Sequence, residues 1–330
     1  MVNPGPAPES KHILSKKEGD LTKSLVQKYL SRSGADLEST SDAVDAVNEI
    51  KGKVAKGEEV AFDAVTNFDN EKDKNQFRKY EEACDRVKNF YREQHEKQTV
   101  EYNVKARVNF KSKTRARMGV WEAIEMLNTL VDESDPDTSV SQIDHLLQSA
   151  EAIRRDGKPE WMQVAGLVHD LGKLLYFFGA EGQWDVVGDT FVVGCGFPDA
   201  IVYPDTFKGN PDSQNPEYNT EYGIYTPHCG LENLMLSWGH DEYLYLIFKN
   251  QSKLPQSALN MIRYHSFYPW HREGAYRQFM VEEDYAALKD VLAFNPYDLY
   301  SKSDDLPKVE ELKPYYMGLI NKYFPDEIEW

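Results

Sequence analysis

Trp161-Met-Gln-Val-Ala-Gly-Leu-Val-His169-Asp170-Leu-Gly-Lys173 is the stretch on which the fold turns. Its apolar residues keep a helical period that runs over 160–178, and inside that period an imidazole stands next to a carboxylate. A single His-Asp pair is common and usually lies solvated at a helix end. This chain has a second one, His240-Asp241, and further donors at His145, His265 and Asp298, each in an apolar or aromatic segment. Four buried imidazoles would all need partners, and a metal supplies them. Asp170 is the natural bridge, because one carboxylate oxygen can reach each of two ions about 3.5–4 Å apart. The pattern points to a metal enzyme.

Outward from this stretch the chain reads as mainly α. Residues 143–154 carry helical spacing, which puts His145 near the start of one helix and His169 within the next, able to face each other. Val120, Trp121, Ile124, Leu127, Leu130 and Val131 form one stripe, broken by Asp132-Glu-Ser-Asp-Pro136. Residues 72–102 read as one long helix. Helices are also expected at 231–236, 242–250, 256–265, 283–294 and 307–323. The Gly- and Pro-rich segment 180–226 reads as loop with a small β-hairpin. Residues 1–70 are expected to be a partly ordered extension with short helices at 20–31 and 41–55, and residues 71–330 the functional domain. No GxGxxG, Walker-type loop or internal repeat is present, which sets nucleotide cofactors aside.

Composition bounds the partners. With 330 residues and 41% hydrophobic content the chain can bury a sizeable core. A formal charge of −17 repels nucleic acid and anionic membranes, so neither is expected as a partner. Cys84, Cys195 and Cys229 form no CxxC pair, which favours a reducing compartment. No basic and apolar leader pattern opens the chain, and no apolar run nears the roughly 18 residues of a membrane span. A cytoplasmic location is expected. His12 and His95 lie in charged segments and read as solvated, while His228 and His271 sit in turn-like contexts. Lys173, four residues after His169, would share its helical side and could bind a polar ligand, although a surface lysine fits the spacing equally well.

At these residues the chain resembles the myo-inositol oxygenases, a branch of the HD-domain superfamily with a non-haem diiron centre. The resemblance runs from about Phe77 to Trp330. It rests on Asp132-Glu-Ser-Asp-Pro-Asp137, His169-Asp-Leu-Gly-Lys173, Val187-Gly-Asp-Thr-Phe191, Thr226-Pro-His-Cys-Gly-Leu-Glu-Asn233, Ser237-Trp-Gly-His-Asp-Glu-Tyr243 and His265-Ser-Phe-Tyr-Pro-Trp-His271. It implies an HD-domain-like helical bundle and two iron ions in an Fe(II)/Fe(III) state. His145, His169, Asp170 and Asp298 would ligate one iron, and Asp170, His240 and His265 the other. Asp132, Lys173, Gly188, Asp189, Ser266 and Lys302 would hold the substrate hydroxyls, with Arg78 on a lid. The implied reaction is the O₂-dependent, four-electron ring cleavage of myo-inositol to D-glucuronate, the first step of inositol catabolism. Lys173 would neutralise the oxygen on the reacting carbon.

A metal-dependent phosphohydrolase of the same HD class is the alternative. A phosphate pocket wants several convergent cations, and near the ligand segments only Lys173 stands out, with Arg263 and Lys302 farther along. The resemblance favours a monomer.

Overall fold

Thr99 divides the stretch expected as a single helix over 72–102. Its backbone is extended and its hydroxyl accepts the Tyr102 N–H, so a new helix starts with its own cap. The result is α1 (Asp85–Lys97) followed by α2 (Val100–Ser112). The computed structural model describes residues 64–66, 68–74, 78–80, 83–134, 140–303 and 306–330, all within one compact unit, Val60–Trp330. The helices expected at 20–31 and 41–55 lie outside the described residues.

The mainly α architecture is as expected. β1 (Arg117–Met118) leads into α3 (Val120–Leu127), which ends before Leu130 and leaves Val131 exposed. Ser141 caps α4 (Gln142–Arg155) through the Asp144 N–H. After Pro159 comes α5 (Glu160–Val168), and then a run of tight 3₁₀ turns over Leu171–Phe178. Beyond a long irregular segment follow α6 (His240–Gln251), α7 (Gln256–Tyr264), α8 (Tyr268–His271), α9 (Glu282–Tyr300) and α10 (Val309–Tyr323). α9 runs past the expected end at residue 294 and through Pro296 to Tyr300. Phe294, Tyr297, Leu299 and Tyr300 are buried around the proline, and their packing outweighs one lost backbone hydrogen bond.

A small antiparallel pairing is present, but elsewhere than in residues 180–226. β1 pairs with β2 (Ile328–Glu329) near the end of the chain. The strand-like residues Phe191–Val193 find their partner outside the expected hairpin, as a single bridge from Val192 to Leu236. That pairing holds 234–237 extended, so the helix expected at 231–236 shrinks to one turn, Leu231–Asn233. Between 183 and 214 the Pro, Gly and Asn residues form 3₁₀ turns instead.

The core joins Leu146, Leu147 and Ala150 of α4, Val164 and Val168 of α5, Leu244 and Phe248 of α6, Met261 and Ile262 of α7, and Phe294 of α9. It brings the ends of five helices together around one point.

His95, read as solvated, is fully buried. Its ring stacks on Phe207 with centroids 4.0 Å apart, and Nδ1 lies 2.6 Å from the Thr206 hydroxyl. Burial lowers this imidazole to about 3. Between that value and the ordinary 6.5 the unfolded chain binds a proton that the folded chain refuses, so stability is lost as pH falls below 6.5. At pH 5 the loss from this group is about 2 kcal/mol. Thermal melts should therefore decline from pH 7 to pH 5, and less steeply in His95→Phe. Equal slopes for the two proteins would remove His95 from the account.

Candidate metal centre

Helix ends position the donors. His145 lies in the first turns of α4, His169 closes α5, His240 opens α6, His265 closes α7, and Asp298 stands near the end of α9. His169 Nε2 is 3.3 Å from His145 Nε2, and Asp298 Oδ1 lies 3.1 Å from His145 Nε2 and 3.2 Å from His169 Nε2. On the other side His240 Nε2 and His265 Nε2 are 3.2 Å apart. Asp170 lies between the pairs. Its Oδ2 is 3.7 Å from the Nε2 atoms of both His145 and His169, and its Oδ1 is 3.6 Å from His240 Nε2 and 3.4 Å from His265 Nε2.

The hydrogen bonds of three rings orient their donor atoms. Nδ1 faces a backbone carbonyl in each: Gly166 O at 2.9 Å from His169, Val186 O at 2.8 Å from His240, and Ile262 O at 2.9 Å from His265. These carbonyls place the proton on Nδ1 and turn the Nε2 lone pair inward. Lone pairs converging this closely fit a shared cation, since neighbouring ligands about 2.1 Å from one ion stand about 3 Å apart. His145, His169 and Asp170 form one group able to hold an ion, and Asp170, His240 and His265 a second. Nitrogen and carboxylate donors without thiolates suit iron, zinc or another borderline ion.

Lys173 is buried, not a surface lysine. The chain leaves α-helical geometry at Asp170, and in the 3₁₀ turn that follows residues three apart eclipse one another. Lys173 therefore sides with Asp170 rather than with His169. Its Nζ is 2.7 Å from Asp170 Oδ2 and 2.9 Å from Asp132 Oδ2. Burial opposes charge on Lys173, but the two carboxylates outweigh it and hold the ammonium well above the usual lysine range. Burial likewise opposes charge on Asp170, yet Lys173 and the imidazoles keep its carboxyl well below the ordinary range. Asp298 is held low in the same way by His169 and His145. Burial lowers His145, whereas at His265 the carboxylates of Asp241 and Asp170 outweigh burial and favour positive charge at the ring, which a cation held at Nε2 would also satisfy.

Gly172 explains the glycine of the His-Asp-Leu-Gly-Lys run. A Cβ there would lie 2.0 Å from the carbonyl oxygen of His240, so the tight turn and the start of α6 touch backbone to backbone. Gly172→Ala must push the His169-Asp170 side away from the His240 side. We expect it to lower metal occupancy and activity together by at least tenfold, read from metal content and turnover on one preparation. Wild-type values in both would show that the contact yields freely.

The expected substrate residues also meet here. Arg78, Asp132, Lys173, Gly188, Asp189, Ser266 and Lys302 line one cavity with His145, Asp170, His240, His265 and Asp298, and His169 is buried behind it. Arg78 makes a forked pair with Asp189, at 3.2 and 2.7 Å, and its guanidinium lies 3.4 Å over the Tyr268 ring. Gly188 has φ +93°, and a Cβ on it would meet Phe90 and Gln94 of α1. The Gln94 amide donates to Val187 O, which holds this loop against the helix. Three residues at the site were assigned no role from the sequence. Tyr91 donates to Asp189 Oδ1 at 3.2 Å, Tyr268 underlies Arg78, and Asp241 touches the second imidazole pair. The repeated His-Asp dipeptide was the one signal for Asp241. His271, read as a turn residue, is buried with Nε2 2.9 Å from His265 O.

Comparison with known proteins bears on this arrangement. The sequence model described as Myo-inositol oxygenase matches residues 84–330. The chain belongs to the myo-inositol oxygenase family. It is 51% identical to inositol oxygenase 1 of Arabidopsis thaliana, over 77% of this chain and 84% of that protein. Identity to inositol oxygenase of Dictyostelium discoideum is 48%, over 80% and 93% of the two chains. For inositol oxygenase of Rattus norvegicus it is 49%, over 78% and 92%. The myo-inositol oxygenase match starts at Cys84, so Arg78 lies just ahead of it and its place in the cavity rests on the contacts with Asp189 and Tyr268. Among the described residues no helix is long and apolar enough to cross a membrane.

Proposed function

We propose that this protein is an inositol oxygenase that opens the ring of myo-inositol with O₂ at a pair of iron ions. One ring C–C bond breaks, O₂ takes four electrons, and the products are D-glucuronate and water. The family supports the reaction class, and the observation that most supports a two-ion site is Asp170, which turns one oxygen to each imidazole pair. His145, His169, Asp170 and Asp298 would hold one iron and Asp170, His240 and His265 the other. Iron rather than zinc suits an O₂ reaction, because bound iron can exchange the single electrons that O₂ requires and zinc cannot.

The remaining residues bind and orient. A cyclitol offers only hydroxyls, and this cavity offers the carboxylates of Asp132 and Asp189, the Ser266 hydroxyl, the Gly188 backbone and the cation of Lys302. Each substrate hydroxyl can donate to a carboxylate while accepting from a cation or backbone N–H. The Lys173 ammonium, held charged between Asp132 and Asp170, is placed to neutralise negative charge on the oxygen of the reacting carbon. Arg78, tied to Asp189, closes the cavity and excludes water. Lys173 and Arg78 are already paired with carboxylates, which leaves less to grip a phosphate and weighs against phosphohydrolysis.

The test is one aerobic assay of protein loaded with Fe(II) and a thiol reductant. Oxygen uptake and glucuronate formation in equal amounts with myo-inositol are expected. Phosphate release from nucleotides, with neither of these, would replace this reading with hydrolysis.

A further inference from the structure

Asp241 follows His240 in the first turn of α6, where a carboxylate is ordinarily a solvated partner of the helix N-terminus. Here it is 1% exposed and turned inward. Oδ2 accepts the Ser266 backbone N–H at 3.1 Å and the Thr190 hydroxyl at 3.4 Å. Thr190 follows Asp189 in the loop that lines the cavity, and its own N–H donates to Ser266 O at 2.9 Å. Oδ1 accepts no hydrogen bond of ordinary geometry, yet it lies 3.4 Å from His265 Nδ1 and 2.8 Å from His240 Nε2. One carboxylate thus touches both imidazoles of the second donor set and both segments that carry substrate-facing residues, 188–190 and Ser266.

We propose that Asp241 is a positioning residue for the second metal site, setting the His240 and His265 rings against the loop that reads the substrate. The inference rests on the metal-centre reading given above. A carboxylate beside the Nδ1–H of a ligating imidazole fixes ring orientation and raises the basicity of the ligand. Its negative charge next to His240 Nε2 favours a cation at that point. The amide of Asn has the same shape and the opposite effect, because its NH₂ can donate to the Nε2 lone pair and compete with the ion. His145, His169 and Asp298 are not touched by Asp241 in any of these contacts, so the consequence should be confined to one of the two ions.

Anaerobic titration of the metal-free full-length chain with Fe(II) tests this, comparing wild type with Asp241→Asn and checking the fold by circular dichroism. Wild type should bind two equivalents. Asp241→Asn should keep one with unchanged affinity and bind the other about 10–100-fold more weakly. Two equivalents at wild-type affinity would overturn the assignment, and so would equal weakening of both. A wild-type chain that bound no iron would instead sink the metal-centre reading itself. Should Asp241→Asn fail to fold, Thr190→Val removes one partner and leaves Asp241 in place. The KM for myo-inositol should then rise roughly fivefold with iron stoichiometry retained, and an unchanged KM would count against Asp241.

Discussion

Asp170→Ala should leave a protein with less than about one-thousandth of wild-type turnover and with neither ion held at wild-type affinity. Each imidazole pair reaches a different oxygen of this one carboxylate, and among the described residues no other carboxylate lies within ion-pair distance of both pairs. Removing it also strands the Lys173 ammonium beside Asp132 alone in a buried setting. Losing one partner of a buried ion pair costs about 3–5 kcal/mol, so the melting temperature should fall as well. Asp170→Asn separates the two effects, because it keeps the volume and one acceptor oxygen but loses the charge. Metal analysis, turnover and a thermal melt on the two variants decide the matter. If either variant retained two ions and a tenth or more of the activity, Asp170 would not be the bridge.

Lys173→Ala should lower kcat by about 10²–10³-fold while the protein still binds two metal ions. The ammonium is placed by a turn, not by a helix face, and its two carboxylate partners leave it charged throughout the usable pH range. A preset cation in a buried cavity stabilises developing charge without reorganising, which is why the effect belongs in kcat. Without it Asp132 and Asp170 face each other unneutralised, so some loss of thermal stability is expected too. Lys173→Arg should not rescue, because the planar fork is larger and cannot replace a compact point charge between two oxygens. Wild-type kcat and KM in Lys173→Ala would end this assignment.

Much of the fold and most of the candidate metal donors are legible in the sequence. Helical spacing around Val164, Val168, Leu146 and Ile262 reports local geometry, and it placed most of the helices to within a few residues. The metal-type donors were equally readable, because an imidazole or a carboxylate in an apolar segment needs a partner wherever it lies. Other features depended on neighbours remote in the chain. The pairing of Val192 with Leu236 displaced a local hairpin, and buried aromatics carried α9 through Pro296 to Asp298. His95 looked solvated because its sequence neighbours are charged, while Phe207, more than 100 residues away, covers it.

The sequence by itself determined that the chain is mainly helical and which imidazole and carboxylate donors its apolar segments offer, because periodicity and donor type are properties of the residues themselves. Only the tertiary structure decided that Asp170 turns one oxygen to each imidazole pair, that Lys173 sides with Asp170 instead of His169, and that Asp241 faces inward. Those outcomes follow from where helices end and how closely backbones approach, as at Gly172 against His240, and such contacts are set by packing across the whole chain.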